Sequence, residues 1–103
     1  MIEKNIKLYK VKEGKEQTLT DWGNTLMNER KDEAIATLKE EQCLREFLTM
    51  FTIDNSSYIA IIMQGDNILP STNKEINQTH KKIIRECTDG EITLRTLYDI
   101  RVD

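Results

Sequence analysis

Residues 44–64, with the sequence LREFLTMFTIDNSSYIAIIMQ, decide the fold of this chain. Two runs rich in β-branched and aromatic side chains, 44–53 and 58–64, stand on either side of the polar sequence DNSS. This pattern predicts a β-hairpin whose four-residue loop is built around a type I turn. Apolar side chains occur on both faces of both strands, so we expect the hairpin to be covered on both sides. In the first strand Phe47, Phe51 and Ile53 share one face and Leu44, Leu48 and Met50 the other; in the second strand Tyr58, Ala60 and Ile62 share one face and Ile59, Ile61 and Met63 the other.

The segments around the hairpin complete an alternation of strands and helices. Residues 6–11 alternate in polarity and predict the first strand, and the polar-rich, proline-free segment from about 15 to 41 predicts one long helix. A second helix is predicted from about 73 to 87, and a long last strand over 91–102. The order β-α-β-β-α-β is that of a ferredoxin-like α+β fold, with a four-stranded antiparallel sheet and two helices on one face. The whole chain, 1–103, is expected to form a single domain.

One face of the predicted sheet is left without helices. The hairpin is apolar on that face too, whereas a face in contact with water would be polar. In so short a chain a second copy of the same sheet is the simplest cover, and two-fold pairing is the commonest oligomer geometry. We therefore predict a homodimer through the sheet face.

Charge and composition exclude several classes of partner. The chain has 15 Lys and Arg against 18 Asp and Glu, a net charge of -3, and both signs are interspersed. Nucleic-acid binding needs clustered basic residues, so no nucleic-acid partner is expected. No apolar run is long enough for a membrane span or a signal peptide, so we expect a cytoplasmic protein without membrane contact. Cys43 and Cys87 form no metal-binding pattern with the one histidine and are expected to be free thiols, with no metal or cofactor.

The predicted long helix directs charged residues toward its own core. Leu19, Trp22 and Leu26 form an apolar stripe, and in a continuous helix Arg30 and Glu33 extend the same line. A buried charge persists only when it is paired, hydrated or bound to a ligand. Two interpretations follow: Arg30 and Glu33 form a structural ion pair at the rim of the core, or they form the polar wall of a cleft.

The only histidine, His80, lies on the inward face of the second predicted helix with Ile76 and Ile83. A histidine on an apolar face is either a core residue with a satisfied hydrogen bond or a group that exchanges protons near neutral pH. In the second case a neighbouring carboxylate would set its tautomer, and Glu33 and Glu46 are the candidates. Both helices pack on the same face of a ferredoxin-like sheet, so His80 and the charged line of the first helix can meet across one space.

Three segments resemble a known superfamily: NERKDEAIATLKEEQCLREFLTMF (28–51), DNSSYIAIIM (54–63) and INQTHKKIIREC (76–87). They are similar to the dimeric α+β-barrel superfamily, in which two ferredoxin-like sheets pack face to face, and within it to an uncharacterised bacterial family related to the L-rhamnose mutarotases. The resemblance implies a homodimer with a cavity lined by the second helix. The superfamily also includes haem-degrading and quinol-type monooxygenases, but Trp22, the only tryptophan, lies in the first helix rather than in the third strand, where the haem degraders place theirs.

The hypothesis that follows is a small-molecule binder or enzyme with a cleft between helices and sheet. Proton transfer such as sugar mutarotation or isomerisation needs only side chains of this kind and no cofactor. The alternatives are a non-catalytic dimeric module with a structural polar rim, and a haem or quinol monooxygenase. The residues assigned to the cleft are His80 and Glu33 as acid and base, with Arg30, Glu46, Tyr9 and Trp22 as ligand-binding residues.

Overall fold

A computed structural model describes residues 3–102 of the chain. The elements are β1 (Glu3–Val11), α1 (Glu16–Met27), α2 (Lys31–Glu40), β2 (Cys43–Ile53), β3 (Ser56–Gly65), α3 (Glu75–Cys87) and β4 (Thr88–Ile92). The fold is α+β, with three helices and one four-stranded antiparallel sheet in the order β2-β3-β1-β4. This architecture fits the predicted ferredoxin-like fold in general. No helix in this part of the chain is long and apolar enough to cross a membrane.

The central hairpin is confirmed, with a shorter turn than the sequence predicted. β2 and β3 pair antiparallel, with Phe47 opposite Ile62. Only Asp54 and Asn55 separate the two strands, and both have positive φ, 49° and 64°. Two left-handed residues in a two-residue loop are typical of a type I′ turn, whose twist matches that of the flanking strands. The predicted four-residue type I loop was wrong because it would splay strands that pair up to the turn.

The two faces of the sheet have different surroundings. The helices pack against the face that carries Ile59, which is 0% exposed, and Ile61. The opposite face, which carries Phe47 and Ile62, contributes no member to the core cluster. Both cysteines are buried free thiols. The core cluster consists of Val11, Leu19, Ile59, Ile61, Ile84 and Cys87.

The predicted long first helix is two helices, so the two-helix arrangement is corrected to three. Residues 28–30 separate α1 from α2. Asn28 leaves the helical region, with φ -124° and ψ -85°, while its side chain donates to the Asn24 carbonyl at 2.8 Å. The Arg30 N–H donates to the Thr25 carbonyl at 2.9 Å. The short side chain of asparagine competes in this way with the helix for backbone hydrogen bonds, and this favours a helix end. The break means that Arg30 precedes a new helix and does not continue the stripe of the first.

The last strand is also shorter than predicted. β4 ends at Ile92, opposite Leu8 of β1, and residues 93–102 form no regular secondary structure. Their apolar side chains stay in water, and Ile100 is 81% exposed. The prediction of a strand to residue 102 was therefore wrong beyond Ile92. Alternating polarity says which face a side chain would occupy, but a strand also needs a neighbouring strand to pair its backbone groups.

Candidate functional site

A cleft of about 1420 Å³ lies between the helices and the face of the sheet that they cover. Pockets for small molecules usually measure roughly 300–1,000 Å³, so the space is ample for one ligand. Its walls are mainly apolar, and a few polar side chains converge in it. The apolar wall includes Leu26, Leu38, Leu48, Met50, Met63 and Ile76, and the polar groups include Tyr9, Trp22, Glu41, Glu46 and His80.

His80 and Trp22 are joined inside the cleft. The indole Nε1–H of Trp22 donates a hydrogen bond to Nδ1 of His80, and the two nitrogens are 2.9 Å apart. An indole N–H can only donate, so Nδ1 carries a lone pair and the proton of the neutral ring sits on Nε2. Burial, helped by the charge of Lys81, lowers the pKa of His80 below its ordinary value. His80 is therefore a neutral ring whose remaining polar group is an N–H donor.

Arg30 and Glu33 lie beside the cleft rather than in its wall. The Arg30 guanidinium donates to both carboxylate oxygens of Glu33, at 2.8 and 3.0 Å, and also to Glu75 of α3. These bonds hold the pKa of Glu33 below its usual range. This is the structural ion pair that the sequence left open as one interpretation. Arg30 also lies over the Trp22 ring, with Cζ 6.0 Å from the ring centroid, so it helps to position the indole that binds His80.

Glu46 projects into the cleft from β2. It lies opposite Met63 on the side that the helices cover, and a bulge between Cys43 and Arg45 puts Glu46 on the same side as Cys43. With regular alternation, positions 43 and 46 would face opposite sides of the sheet. The surrounding protein withdraws water from the carboxyl, which raises the pKa of Glu46, although the residue as a whole keeps contact with solvent.

Glu41 is a residue of the cleft that sequence reasoning missed. It follows the last turn of α2 and is only 6% exposed, yet it lines the cleft. Burial raises the pKa of Glu41, the charge of Glu46 raises it further, and Lys81 opposes both effects. The Leu69 N–H donates to the Glu41 carbonyl at 2.8 Å and holds the backbone there. The available signal in the sequence was an acid at a helix C-terminus, where the helix dipole favours a cation.

Tyr9 reaches the cleft from β1. Burial, and then the charge of Glu91, raise the pKa of Tyr9, so its hydroxyl stays protonated near neutral pH and can donate to a ligand. Among residues 3–102, no group of three or more His, Cys, Asp or Glu side chains could hold a metal ion. The cleft lining thus combines one neutral imidazole, one phenol and two carboxyls with basic and amide side chains.

Together the fold and the cleft define a small α+β protein with a four-stranded antiparallel sheet, three helices and polar side chains in a helix–sheet cleft. The chain belongs to DUF6176, a family of unknown function, and the match covers residues 3–101. No curated protein and no solved structure matches the chain. The resemblance to dimeric α+β barrels and to L-rhamnose mutarotases therefore stays a prediction.

Proposed function

We propose that the protein binds a small molecule in this cleft and moves a proton on it without a cofactor, as mutarotases and isomerases do. The observation that carries the proposal is the Trp22–His80 hydrogen bond, which leaves a neutral N–H donor in a cleft that also holds the Glu46 carboxyl. The sequence assigned the role of base to Glu33. Because Arg30 holds Glu33 outside the cleft wall, we give that role to Glu46.

Sugar mutarotation is a reaction that Glu46 and His80 can catalyse together. The ionised Glu46 takes the proton of the anomeric hydroxyl, the bond between C1 and the ring oxygen breaks, and the same carboxyl returns the proton to the ring oxygen. His80 donates its Nε2–H to the ring oxygen and stabilises the negative charge that develops there. Rotation about the C1–C2 bond of the open aldehyde and closure by the reverse steps give the other anomer. Atoms and charge balance without a co-reactant, and a carboxyl with a raised pKa suits both directions of the transfer.

Glu46→Gln is expected to slow exchange between the α and β anomers of L-rhamnose by about 100-fold or more, the usual loss when a general acid–base group is removed. Saturation-transfer NMR on the two anomeric protons measures the exchange rate. Glu33→Gln is the matched control, and it is expected to leave the rate nearly unchanged.

Two outcomes would contradict parts of this proposal. A wild-type protein that exchanges the anomers no faster than buffer would exclude L-rhamnose mutarotation. A Glu33→Gln variant that is as slow as Glu46→Gln would restore the assignment that the sequence first indicated.

The proposed assembly is a homodimer through the outer face, by which we mean the sheet face that carries Phe47, Phe51, Tyr58 and Ile62. The strand register gathers these side chains into one patch, and the rings of Phe51 and Tyr58 stack with centroids 5.7 Å apart. Ile6, which lies opposite Ile62 on β1, is 45% exposed. None of these residues belongs to the core cluster, so a second sheet would remove a continuous apolar patch from water.

Ile62→Lys is expected to convert a dimer into a monomer of 12.1 kDa in light scattering. A charge at this position would have to be desolvated in an interface of about 1,600 Å² or more in total, the size expected for a stable dimer. The register places Met50 and Ile61 on the helix-covered face, so Ile62 is the informative position. Thr18→Lys, on the exposed surface of α1, adds the same charge as a control and should leave the dimer intact. A wild-type protein that is monomeric at micromolar concentration would contradict the dimer.

The two alternatives from the sequence fit the structure less well. The Arg30–Glu33 pair is structural, as a non-catalytic dimeric module with a polar rim would have it, but such a module gives no reason for polar groups to converge in an open cleft. In a haem monooxygenase, His80 would need a lone pair on Nε2 to bind iron. The hydrogen bond from Trp22 to Nδ1 places the proton on that nitrogen instead.

A further inference from the structure

Glu41 is a buried acidic residue that lines the cleft. The residue is 6% exposed, and no residue that the structure describes gives its carboxyl a hydrogen bond or an ion pair. The carboxyl is not sealed in the protein, because it lines the cleft and no enclosed side-chain oxygen or nitrogen among residues 3–102 lacks a partner. The carboxyl is therefore open to the cleft, and a group bound there can reach it.

A second carboxyl, that of Glu46, faces the same space. The bulge at the start of β2 puts Glu46 on the side of the sheet that the helices cover. Burial raises the pKa of the Cys43 thiol, and the charges of Glu46 and Glu41 raise it further, so both carboxyls act on the same thiol. Lys81 is the basic residue whose charge reaches Glu41, but in the described part of the chain it forms no ion pair with either carboxyl. The two acids therefore form an acidic part of the cleft lining that no basic side chain among residues 3–102 neutralises through an ion pair.

The remaining lining restricts what could bind there. The basic residues of the cleft lining are all exposed, and exposed ammonium and guanidinium groups keep their hydration. The two carboxyls without an ion pair thus favour a cation beside them, whereas most of the wall is apolar. The exposed basic residues are Lys4, Lys7, Lys31, Lys81 and Arg85.

We infer that the acidic part of the cleft lining, at Glu41 and Glu46, binds the protonated amine of a ligand whose remainder is largely apolar. A primary ammonium has three N–H donors, so it can bond to Glu41 and to one oxygen of Glu46 at the same time. The second oxygen of Glu46 stays available for proton transfer. The inference goes beyond the proposed function by naming a second ligand class for the cleft, and it rests on that function only in taking the cleft as a small-molecule site.

Binding of n-hexylamine, 1-hexanol and hexanoate near neutral pH tests the inference, because the three probes share an apolar chain and differ in the head group. Calorimetry gives the dissociation constants, and the indole N–H resonance of Trp22, the only tryptophan, reports occupancy of the cleft. Hexylamine is expected to bind at least about tenfold more tightly than hexanol, with hexanoate the weakest of the three.

Variants of the two acids and two comparison variants assign the effect to the carboxyls. Glu41→Gln keeps the shape of the side chain and is expected to weaken hexylamine about tenfold or more while leaving hexanol unchanged. Glu86→Gln removes an exposed acid of α3 outside the cleft lining and should change neither constant. Lys81→Gln removes a competing cation and should tighten hexylamine binding. Glu46→Gln serves as the second acid variant if Glu41→Gln does not fold.

The failure of this inference and that of the proposed function look different. If hexanol shifts the Trp22 resonance and binds as tightly as hexylamine, the cleft binds small molecules and the amine site is wrong. If hexylamine binds with equal affinity to the wild type, Glu41→Gln and Glu46→Gln, the amine site is also wrong. If none of the probes and no sugar moves the Trp22 resonance, the cleft itself is not a binding site and both proposals fall.

Discussion

Gly65→Ala is expected to lower the free energy of unfolding by about 2–3 kcal/mol, the upper part of the range found for overpacking. A Cβ at this position would lie 2.5 Å from the Gln42 carbonyl oxygen, 2.9 Å from Cγ1 of Ile68 and 3.1 Å from Cα of Cys43. Two of these three atoms belong to the backbone, which cannot rotate aside as a side chain does. Gln42 already has a left-handed φ of 57°, so the chain has little freedom to retreat.

Gly23→Ala is the matched control for this prediction. Gly23 lies inside α1, and a Cβ there would meet nothing within 4 Å. The substitution should therefore stabilise the protein by roughly 0.5–1 kcal/mol, the difference between alanine and glycine in a helix interior. Urea unfolding followed by circular dichroism measures both variants. A Gly65→Ala variant as stable as the wild type would show that the start of β2 moves away from β3 at little cost, and with it the backbone that carries Glu41.

His80→Ala is expected to destabilise the protein by about 2 kcal/mol, because it leaves a buried donor without a partner, a loss that usually costs about 1–3 kcal/mol. Trp22 is 8% exposed, and its indole N–H bonds to Nδ1 of His80. From the sequence alone, a histidine in a cleft is expected to contribute little to stability. The contact with Trp22 changes that expectation, so a thermal melt of this variant by itself does not separate a cleft residue from a core residue.

A double-mutant cycle with Trp22→Phe separates the hydrogen bond from the packing. Phenylalanine keeps an aromatic ring and removes the donor, so His80→Ala should cost less in the Trp22→Phe background than in the wild type. The difference between the two costs is the coupling energy of the pair. Equal costs in both backgrounds would mean that the contact contributes nothing and that His80 acts through its packing alone.

The stability difference between the wild type and His80→Ala should also depend on pH. The folded pKa of His80 lies below the unfolded value of 6.5, so between these two values the unfolded chain binds more protons. The contribution of neutral His80 is complete above pH 6.5 and is lost as the pH falls through its folded pKa. The raised pKa values of Glu41 and Glu46 act in the opposite direction, since they reduce stability as the pH rises. Comparing the two proteins at each pH isolates the histidine.

Local patterning was sufficient to determine the central hairpin, its two apolar faces and the inward direction of His80. Phe47 and Ile62 share the outer face and Ile59 takes the other because successive side chains of a strand alternate, whatever lies beyond it. The inward position of His80 followed from its spacing to Ile76 in a helix of ordinary geometry. These features depend on backbone geometry within a few residues, so they can be predicted from the sequence alone.

Only the tertiary structure decided which groups share the cleft. The helix break at Asn28 took Arg30 out of the expected stripe and onto the Trp22 ring, and the bulge in β2 set the side of the sheet that Glu46 occupies. Glu41 is buried by elements distant from it in the chain, and residues 93–102 alternate like a strand without a neighbour to pair with. Burial, ion pairing and register shifts are relations between separate segments. Their free energies depend on which surfaces meet, and periodicity along one segment does not specify the surface that it meets.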